Sequence, residues 1–161
     1  MGSRSKRSED LAYIAGFLDG DGSLMLQLKK RKDSIRGVRF MATICFYQDS
    51  RHAKDLSWVR KELGYGYIAV RNDGMTELRI NSFVQVLEIL EQLLPYIRFK
   101  KLQAKALLDA CSILVAHTFK TLTASDIEKV VSAILVIQNE NYKARSKKTK
   151  EEFYTSLDLT P

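Results

Sequence analysis

Residues 11–23 of the chain, LAYIAGFLDGDGS, decide how it is expected to fold. Within this segment Ala12, Gly16 and Gly20 recur every four residues, so they lie on one face of a helix. A ridge of such small side chains lets a second backbone approach closely. Glycine costs a helix roughly 1 kcal/mol relative to alanine, so we expect close packing against an identical helix to compensate. The segment ends in DGDG (19–22), which places two carboxylates where the helix turns into a strand.

The helix that carries this segment is predicted to begin at Ser8, a favourable N-cap residue, and to run through Leu18. Leu11, Ile14 and Leu18 follow helical spacing and are expected to face the core. Residues 1–7 are expected to form a flexible N-terminus.

After the helix, the period of the apolar residues changes from helical to twofold, which indicates β-strands with one buried face. The alternation runs through residues 23–30 and, after a basic turn, through 38–47. A second, shorter hairpin is predicted around Asn-Asp-Gly at 72–74. The inward row of the two long strands comprises Leu24, Leu26, Leu28, Val38, Phe40, Ala42, Ile44 and Phe46.

Apolar stripes at helical spacing predict four further helices, near residues 50–63, 82–94, 100–118 and 123–138. Ser82 and Gln85 resemble a capping box at the second of these, and Thr123 or Ser125 is expected to cap the last.

The predicted fold class is α+β. An αββαββα core carries a twisted antiparallel four-stranded sheet, with helices on one face, an open concave face on the other, and helices following at the C-terminal end. We expect a single domain over residues 1–161 that ends in a basic tail at 139–161.

The composition indicates a polyanionic partner, since 26 Lys and Arg stand against 19 Asp and Glu, a net charge of +7. No apolar run is long enough to predict a membrane span. Cys45 and Cys111 lie far apart, which argues against a disulfide framework or a structural zinc site and favours a reducing intracellular compartment. His52 and His117 are too isolated to suggest a histidine-based metal site.

Residues 15–22, AGFLDGDG, resemble the signature of the LAGLIDADG homing endonucleases. The resemblance continues in the order of strands and helices, in Gly-Tyr-Gly-Tyr at 64–67 and in PYIRFKKLQA at 95–104, so it covers most of residues 8–138. It implies an enzyme of intron homing that makes metal-dependent double-strand breaks at a long, near-palindromic DNA target. Because the chain carries one copy of the motif, it also implies a homodimer whose interface comprises Ala12, Gly16, Asp19 and Gly20.

The same resemblance assigns roles at the active site. It implies that Asp21 and the Gly20 carbonyl bind Mg²⁺ or Mn²⁺, with Ca²⁺ binding without supporting cleavage. It implies that Gln48 and Lys100 organise the catalytic waters, whereas His52 stands where relatives often carry a basic residue. For Asp19 the sequence leaves a packing or capping role and metal binding equally open.

The resemblance further implies that the outward face of the sheet enters the DNA major groove. The candidate contacts to double-stranded DNA are Ser23, Met25, Gln27, Lys29, Arg31, Arg39, Met41, Thr43, Cys45, Arg71, Glu77 and Arg79. Basic residues of the tail are expected to follow phosphates. They are Lys143, Arg145, Lys147, Lys148 and Lys150.

Other interpretations of the motif are weaker. A calcium loop beginning at Asp19 fails because Leu24 and Lys30 stand where the glycine and glutamate of an EF-hand belong. An RNA maturase or a non-catalytic DNA-binding regulator of the same fold is the main alternative, and a structural dimerisation domain is a third. No feature of the sequence suggests a small-molecule substrate.

Overall fold

The structure is a computed structural model that describes residues 2–34, 37–141 and 147–159, with side chains described from residue 6 onward. Along the chain it contains α1 (Gly2–Asp21), β1 (Ser23–Lys30), β2 (Val38–Asp49), α2 (Lys54–Leu63), β3 (Tyr67–Val70), β4 (Met75–Ile80), α3 (Phe83–Leu93), α4 (Lys101–Ala116), α5 (Ala124–Glu140) and α6 (Lys150–Ser156). A 3₁₀ turn, Ser50–His52, precedes α2. The predicted αββαββα order is confirmed.

The four strands form one antiparallel sheet in the order β1-β2-β4-β3. The long strand β2 lies in the middle, where its first half pairs with β1 and its second half with β4. Every member of the predicted inward row is buried, from Leu24 on β1 to Phe46 on β2. Alternation of apolar residues therefore identified the buried face of the two long strands correctly, whereas Val70 of β3, placed on the same face by its period, is 76% exposed.

Helices cover this buried face. The α1 residues Ile14, Ala15 and Leu18 are fully buried, and α1 packs against β2 and α3. Helices α4 and α5 pack against each other and against β1, while α2 contacts β3 and β4. The tip of α1 is thus held between the sheet and α4. None of the helices within the described residues is long and apolar enough to span a bilayer.

Helix α1 starts earlier than predicted, at Gly2 instead of Ser8. Residues 4–10 contain neither proline nor glycine, so nothing in their sequence interrupts a helix that the core already anchors. Arg7 also donates a hydrogen bond to Gln92 of α3 at 3.2 Å. The prediction that Ser8 caps the helix was wrong.

The C-terminal segment also departs from the predicted basic tail, because residues 150–156 form α6. Thr149 caps this helix in a capping box with Glu152, and Phe153 and Leu157 are buried beneath it. These two apolar residues are the physical reason that the segment folds back onto the domain. Lys143 and Arg145 lie outside the described residues, whereas the remaining tail lysines are exposed: Lys147, Lys148 and Lys150.

Helix caps were predicted with mixed success. Thr123 caps α5 through a capping box with Asp126, as one of the two alternatives predicted. Ser82 does occupy the N-cap of α3, but its side chain makes no capping hydrogen bond, so the box with Gln85 was wrong. Burial of Val86 and Ile89 anchors the first turns of α3 instead.

Candidate active site and nucleic-acid interface

Asp19 connects the tip of α1 to the start of α4. Its buried carboxylate accepts hydrogen bonds from the backbone N–H groups of Arg98 at 2.7 Å, Phe99 at 3.2 Å and Lys100 at 3.0 Å. These donors lie in the turn that leads into α4, and the last of them belongs to Lys100, the N-cap residue of that helix, where the dipole favours an anion. Asp19 therefore anchors the backbone that leads into α4, which agrees with the packing role that the sequence left open for it.

Lys100 makes the reciprocal connection. Its Nζ donates hydrogen bonds to the carbonyl oxygens of Leu18, at 3.1 Å, and of Asp19, at the C-terminal end of α1. Burial lowers the pKa of the Lys100 ammonium, and the carboxylates of Asp19 and Asp21 oppose that shift. The structure thus brings Lys100 to the tip of α1, next to Asp21.

Asp21 and Gly20 form the exposed part of this tip. Asp21 is the last residue of α1 and points into solvent, while the end of a helix carries a partial negative charge that favours cations. Carboxylate and carbonyl oxygens are the ligands that Mg²⁺ prefers. Across the described residues no group of three or more His, Cys, Asp and Glu could hold a metal ion. The oxygen donors of this tip are of the type that suits a divalent cation.

The ridge of small residues faces away from the rest of the chain. Ala12, Gly16 and Gly20 are exposed, and a Cβ atom built on Gly16 or Gly20 would have no neighbour within 4 Å. Gly22 differs, because its Cβ would lie 2.5 Å from the Leu18 side chain and 2.8–2.9 Å from the Leu18 backbone. Of the glycines at 16, 20 and 22, only Gly22 is thus required by packing within the chain, and no described residue covers the other two.

Two large apolar side chains, one on α1 and one just before α4, are exposed, and sequence reasoning missed them. Phe99 is 86% exposed although its amide is bonded to Asp19, and Tyr13 of α1 is 69% exposed. The Tyr13 ring meets Trp58 of α2 edge to face. An aromatic residue between Arg98 and Lys100 was the signal available in the sequence, since aromatic side chains are rarely left in solvent without a partner.

Gln48 and His52 lie beyond the end of the β1–β2 ladder. Gln48 is half-buried on β2, three residues past the Cys45–Ser23 pair with which β1 begins, and its Oε1 accepts the Asp49 N–H at 2.9 Å. His52 is exposed at the end of the 3₁₀ turn. Since β1 follows α1 directly, this part of β2 runs toward the side of the fold that carries Asp21.

The candidate DNA contacts share the outward face of the sheet. Ser23, Cys45, Arg79 and Tyr67 form one row across all four strands. Half-buried members of the candidate set are Ser23, Met25, Gln27, Met41 and Arg79, and the exposed members are Lys29, Arg31, Arg39 and Arg71. The basic side chains at the rim of this face are therefore open to a ligand.

Three of the candidates on this face are buried, contrary to expectation: Thr43, Cys45 and Glu77. Thr43 donates a hydrogen bond to Asn81 at 3.0 Å, and Asn81 donates one to the Tyr67 hydroxyl at 3.2 Å. Burial raises the pKa of Cys45 to about 11, so it remains a thiol at neutral pH. Alternation predicts the face of a strand but not the neighbours that cover it, and long side chains on β3 and β4 cover the short ones of β2.

Tyr67 and Asn81 were missing from the predicted set. Tyr67 lies in the same row as Arg79 and is 48% exposed, and Asn81 follows the last residue of β4. The twofold period, extended through β3, would have placed Tyr67 on this face.

Comparison with known proteins identifies the family. A sequence model described as LAGLIDADG endonuclease matches residues 14–114. DNA endonuclease I-CvuI of Chlorella vulgaris is 34% identical over 97 residues, 60% of each chain. DNA endonuclease I-CreI of Chlamydomonas reinhardtii is 34% identical over 101 residues, 62% of this chain and 61% of that protein. The chain thus spans about 60% of the length of these curated relatives.

Solved structures agree with this assignment. The crystal structure of I-CvuI in complex with the I-CreI target superposes with a TM-score of 0.81 at 25% identity, over 95% of both chains. The archaeal intron-encoded endonuclease I-Vdi141I complexed with DNA shares the fold, with a TM-score of 0.79 at 20% identity over 93% of this chain and 95% of that one. Because the family match covers well over half of its residues, the chain belongs to the LAGLIDADG endonuclease family.

Proposed function

We propose that the protein is a site-specific DNA endonuclease, a divalent-metal-dependent phosphodiester hydrolase that cuts both strands of a long, near-palindromic target as a homodimer. The observation that carries the proposal is the tip of α1, where Asp21 is exposed beside the Lys100 ammonium. The names of its relatives, DNA endonucleases I-CvuI and I-CreI, support the same activity.

The homodimer follows from the uncovered ridge on α1. Gly16 and Gly20 lower the stability of a helix without serving any contact inside the chain, which a second copy of the same helix would explain. Exposed Phe99 and Tyr13 add apolar area beside the ridge. A twofold axis along the ridge pairs identical surfaces, and it brings two copies of Asp21 to one end of the dimer.

The residues at that end fit the chemistry of phosphodiester hydrolysis. Asp21 and the Gly20 carbonyl would hold Mg²⁺ or Mn²⁺, which when bound polarises a phosphate and activates a water. Lys100, fixed on the α1 carbonyls, places a positive charge where a scissile phosphate would arrive. In this proposal Gln48, a neutral polar residue, organises the catalytic waters. His52 is a weaker candidate for a similar role.

The outward face of the sheet supplies the DNA-binding surface in this proposal. A two-stranded β-ribbon fits the major groove, and β1 and β2 form one with basic side chains along its rim. Lys29, Arg39 and Arg71 are exposed there. Lys147 and Lys148, exposed near α6, would follow phosphates and carry no sequence information.

The decisive experiment is a cleavage assay on a duplex library that includes the insertion site of the protein's own gene. In Mg²⁺ we expect double-strand cuts that EDTA abolishes. Asp21→Asn should lower the rate by about a thousandfold or more, because it removes the charged ligand of the metal. Its thermal unfolding should match that of the wild type, since Asp21 is exposed. If the wild type binds the library but never cuts it in Mg²⁺ or Mn²⁺, the protein is a binding module and the proposal is wrong.

A further inference from the structure

On the outward face of the sheet, the carboxylate of Glu77 contacts two arginine side chains. Glu77 lies in the middle of β4, and its side chain is only 10% exposed. Its Oε1 accepts a hydrogen bond from Arg79 Nε at 3.0 Å, and its Oε2 accepts one from Arg79 Nη2 at 3.4 Å. Arg71 Nη1 lies 3.7 Å from the same Oε2. The side chains of Arg79 and Arg71 are 27% and 44% exposed, and Arg71 also donates a closer hydrogen bond to Asp73, at 2.8 Å.

Neighbours on β2 hold this cluster in place. Cys45, a protonated thiol, donates to Glu77 Oε2 across 3.6 Å. The Arg71 guanidinium carbon lies 5.8 Å from the centroid of the Tyr47 ring, within the range of a cation–π contact. In the sheet register Glu77 stands opposite Tyr47, and Arg79 opposite Cys45. The Glu77 carboxylate, the Cys45 thiol and the Tyr47 ring together restrict the movement of the two arginine side chains.

A carboxylate at the centre of a DNA-binding face needs a reason, because it repels phosphates. Glu77 is too deeply buried to accept a hydrogen bond from a base edge, so its effect must pass through Arg79 and Arg71. An unrestrained arginine loses side-chain entropy when it is fixed. Fixing it before DNA arrives removes that loss from the binding step.

The orientation of Arg79 suits base recognition. Glu77 engages Nε and Nη2, which form one side of the guanidinium fork. The end of the fork, with donors on both Nη atoms, lies outside this pair, and the Arg79 side chain is 27% exposed. A guanine presents two acceptors, O6 and N7, to the major groove at a matching spacing.

We propose that Glu77 is a positioning residue for base recognition, which holds Arg79, with Arg71 beside it, in the orientation that reads a guanine instead of a phosphate. The inference rests on the proposed DNA-binding function. It makes Glu77 a determinant of specificity that never touches DNA, in place of the direct contact expected from the sequence.

The test is selection of bound duplexes from a randomised pool in Ca²⁺, with the full-length protein and matched variants. We expect the wild type to enrich guanine, and Glu77→Gln to lower that enrichment about 5–10-fold at one position, within the range of a lost bidentate base contact. The same variant should bind an unrelated duplex more tightly, because it frees a positive charge.

Asp73→Asn is the matched control for charge. Asp73 is exposed and pairs with Arg71 at 2.8 Å, so this variant makes the same change in net charge without touching Arg79. It should strengthen non-specific binding but leave the guanine enrichment intact. Arg79→Gln should lose enrichment at the same position as Glu77→Gln, and Glu77→Asp, which keeps the charge, should restore part of it.

The outcomes separate this inference from the proposed function. If the wild type enriches guanine and Glu77→Gln does so equally, the inference is wrong while DNA recognition stands. The inference would also be wrong if Glu77→Gln lost guanine enrichment at one position of the target and Arg79→Gln lost it at another. If Glu77→Gln fails to fold, the test rests on Arg79→Gln. The inference is then wrong if Arg79→Gln enriches guanine as strongly as the wild type does. A wild type that enriches no sequence would remove both the inference and the function on which it rests.

Discussion

The two sides of the α1 tip differ in almost every respect. On the inner side, Asp19 and Lys100 tie the end of α1 to the start of α4 through hydrogen bonds to backbone groups. On the outer side, Gly16, Gly20 and Asp21 meet solvent. The inner side finds its hydrogen-bond partners within the chain, whereas no described residue lies against Gly16 or Gly20 of the outer side.

Two aspartates of the same motif can thus have unrelated roles. Residues two apart on an α-helix point in nearly opposite directions, about 160° apart around its axis. For Asp19 that direction leads to three backbone amides, and for Asp21 it leads to solvent. One aspartate thus fixes the end of the helix from which the other extends into solvent.

The largest expected effect comes from removing the inner carboxylate. Asp19→Ala leaves three backbone amides without their acceptor, and charged hydrogen bonds contribute about 1.5–3 kcal/mol each. Allowing for partial access of water, we expect a loss of about 3–5 kcal/mol in the free energy of unfolding. Urea denaturation followed by circular dichroism measures it.

Asp21→Ala is the control for that experiment, since it removes the same group from the outer side. It should change the free energy of unfolding by less than about 0.5 kcal/mol, as exposed sites usually do. Equal losses for the two variants would contradict the division of roles between the aspartates.

The sequence predicted the outer side of the tip better than the inner side. The ridge of small residues and the exposed Asp21 could be predicted from the spacing of residues close together in sequence. The same is true of the buried row of the sheet from Leu24 to Phe46. The partners of Asp19 lie about 80 residues away along the chain, and no local pattern specifies such a contact. For that reason the sequence left capping and metal binding equally open for Asp19.

The outward face of the sheet shows the same limit. Twofold alternation placed Thr43, Cys45 and Glu77 on the correct face, yet the structure buries all three. Their burial depends on hydrogen bonds between strands, such as that from Thr43 to Asn81, 38 residues apart. Such contacts depend on the register in which β2 pairs with β4, and the alternation of residues along each strand does not predict that register.

A second, intermediate effect is expected at Gly22, where α1 turns into β1. A methyl group there would meet backbone atoms of Leu18 at 2.8 and 2.9 Å, and backbone cannot rotate away as a side chain can. We expect Gly22→Ala to lower the free energy of unfolding by about 1–3 kcal/mol, the usual range for overpacking. Chemical denaturation measures the loss, and a variant as stable as the wild type would show that the turn can widen.

The smallest expected effect, and the one of opposite sign, comes from Gly16 on the outer side. Since no atom lies within 4 Å of its Cβ position, Gly16→Ala should stabilise the isolated chain by roughly 1 kcal/mol of helix propensity. In the proposed dimer the added methyl groups would instead separate two closely packed helices and raise the dissociation constant about tenfold. Unfolding at high dilution measures the first effect, and sedimentation over a range of concentrations measures the second.

Ser132→Ala, on an exposed face of α5, is the control for helix propensity alone and should leave the dissociation constant of the dimer unchanged. If Gly16→Ala dimerises as tightly as the wild type, the ridge is not the surface on which two chains meet.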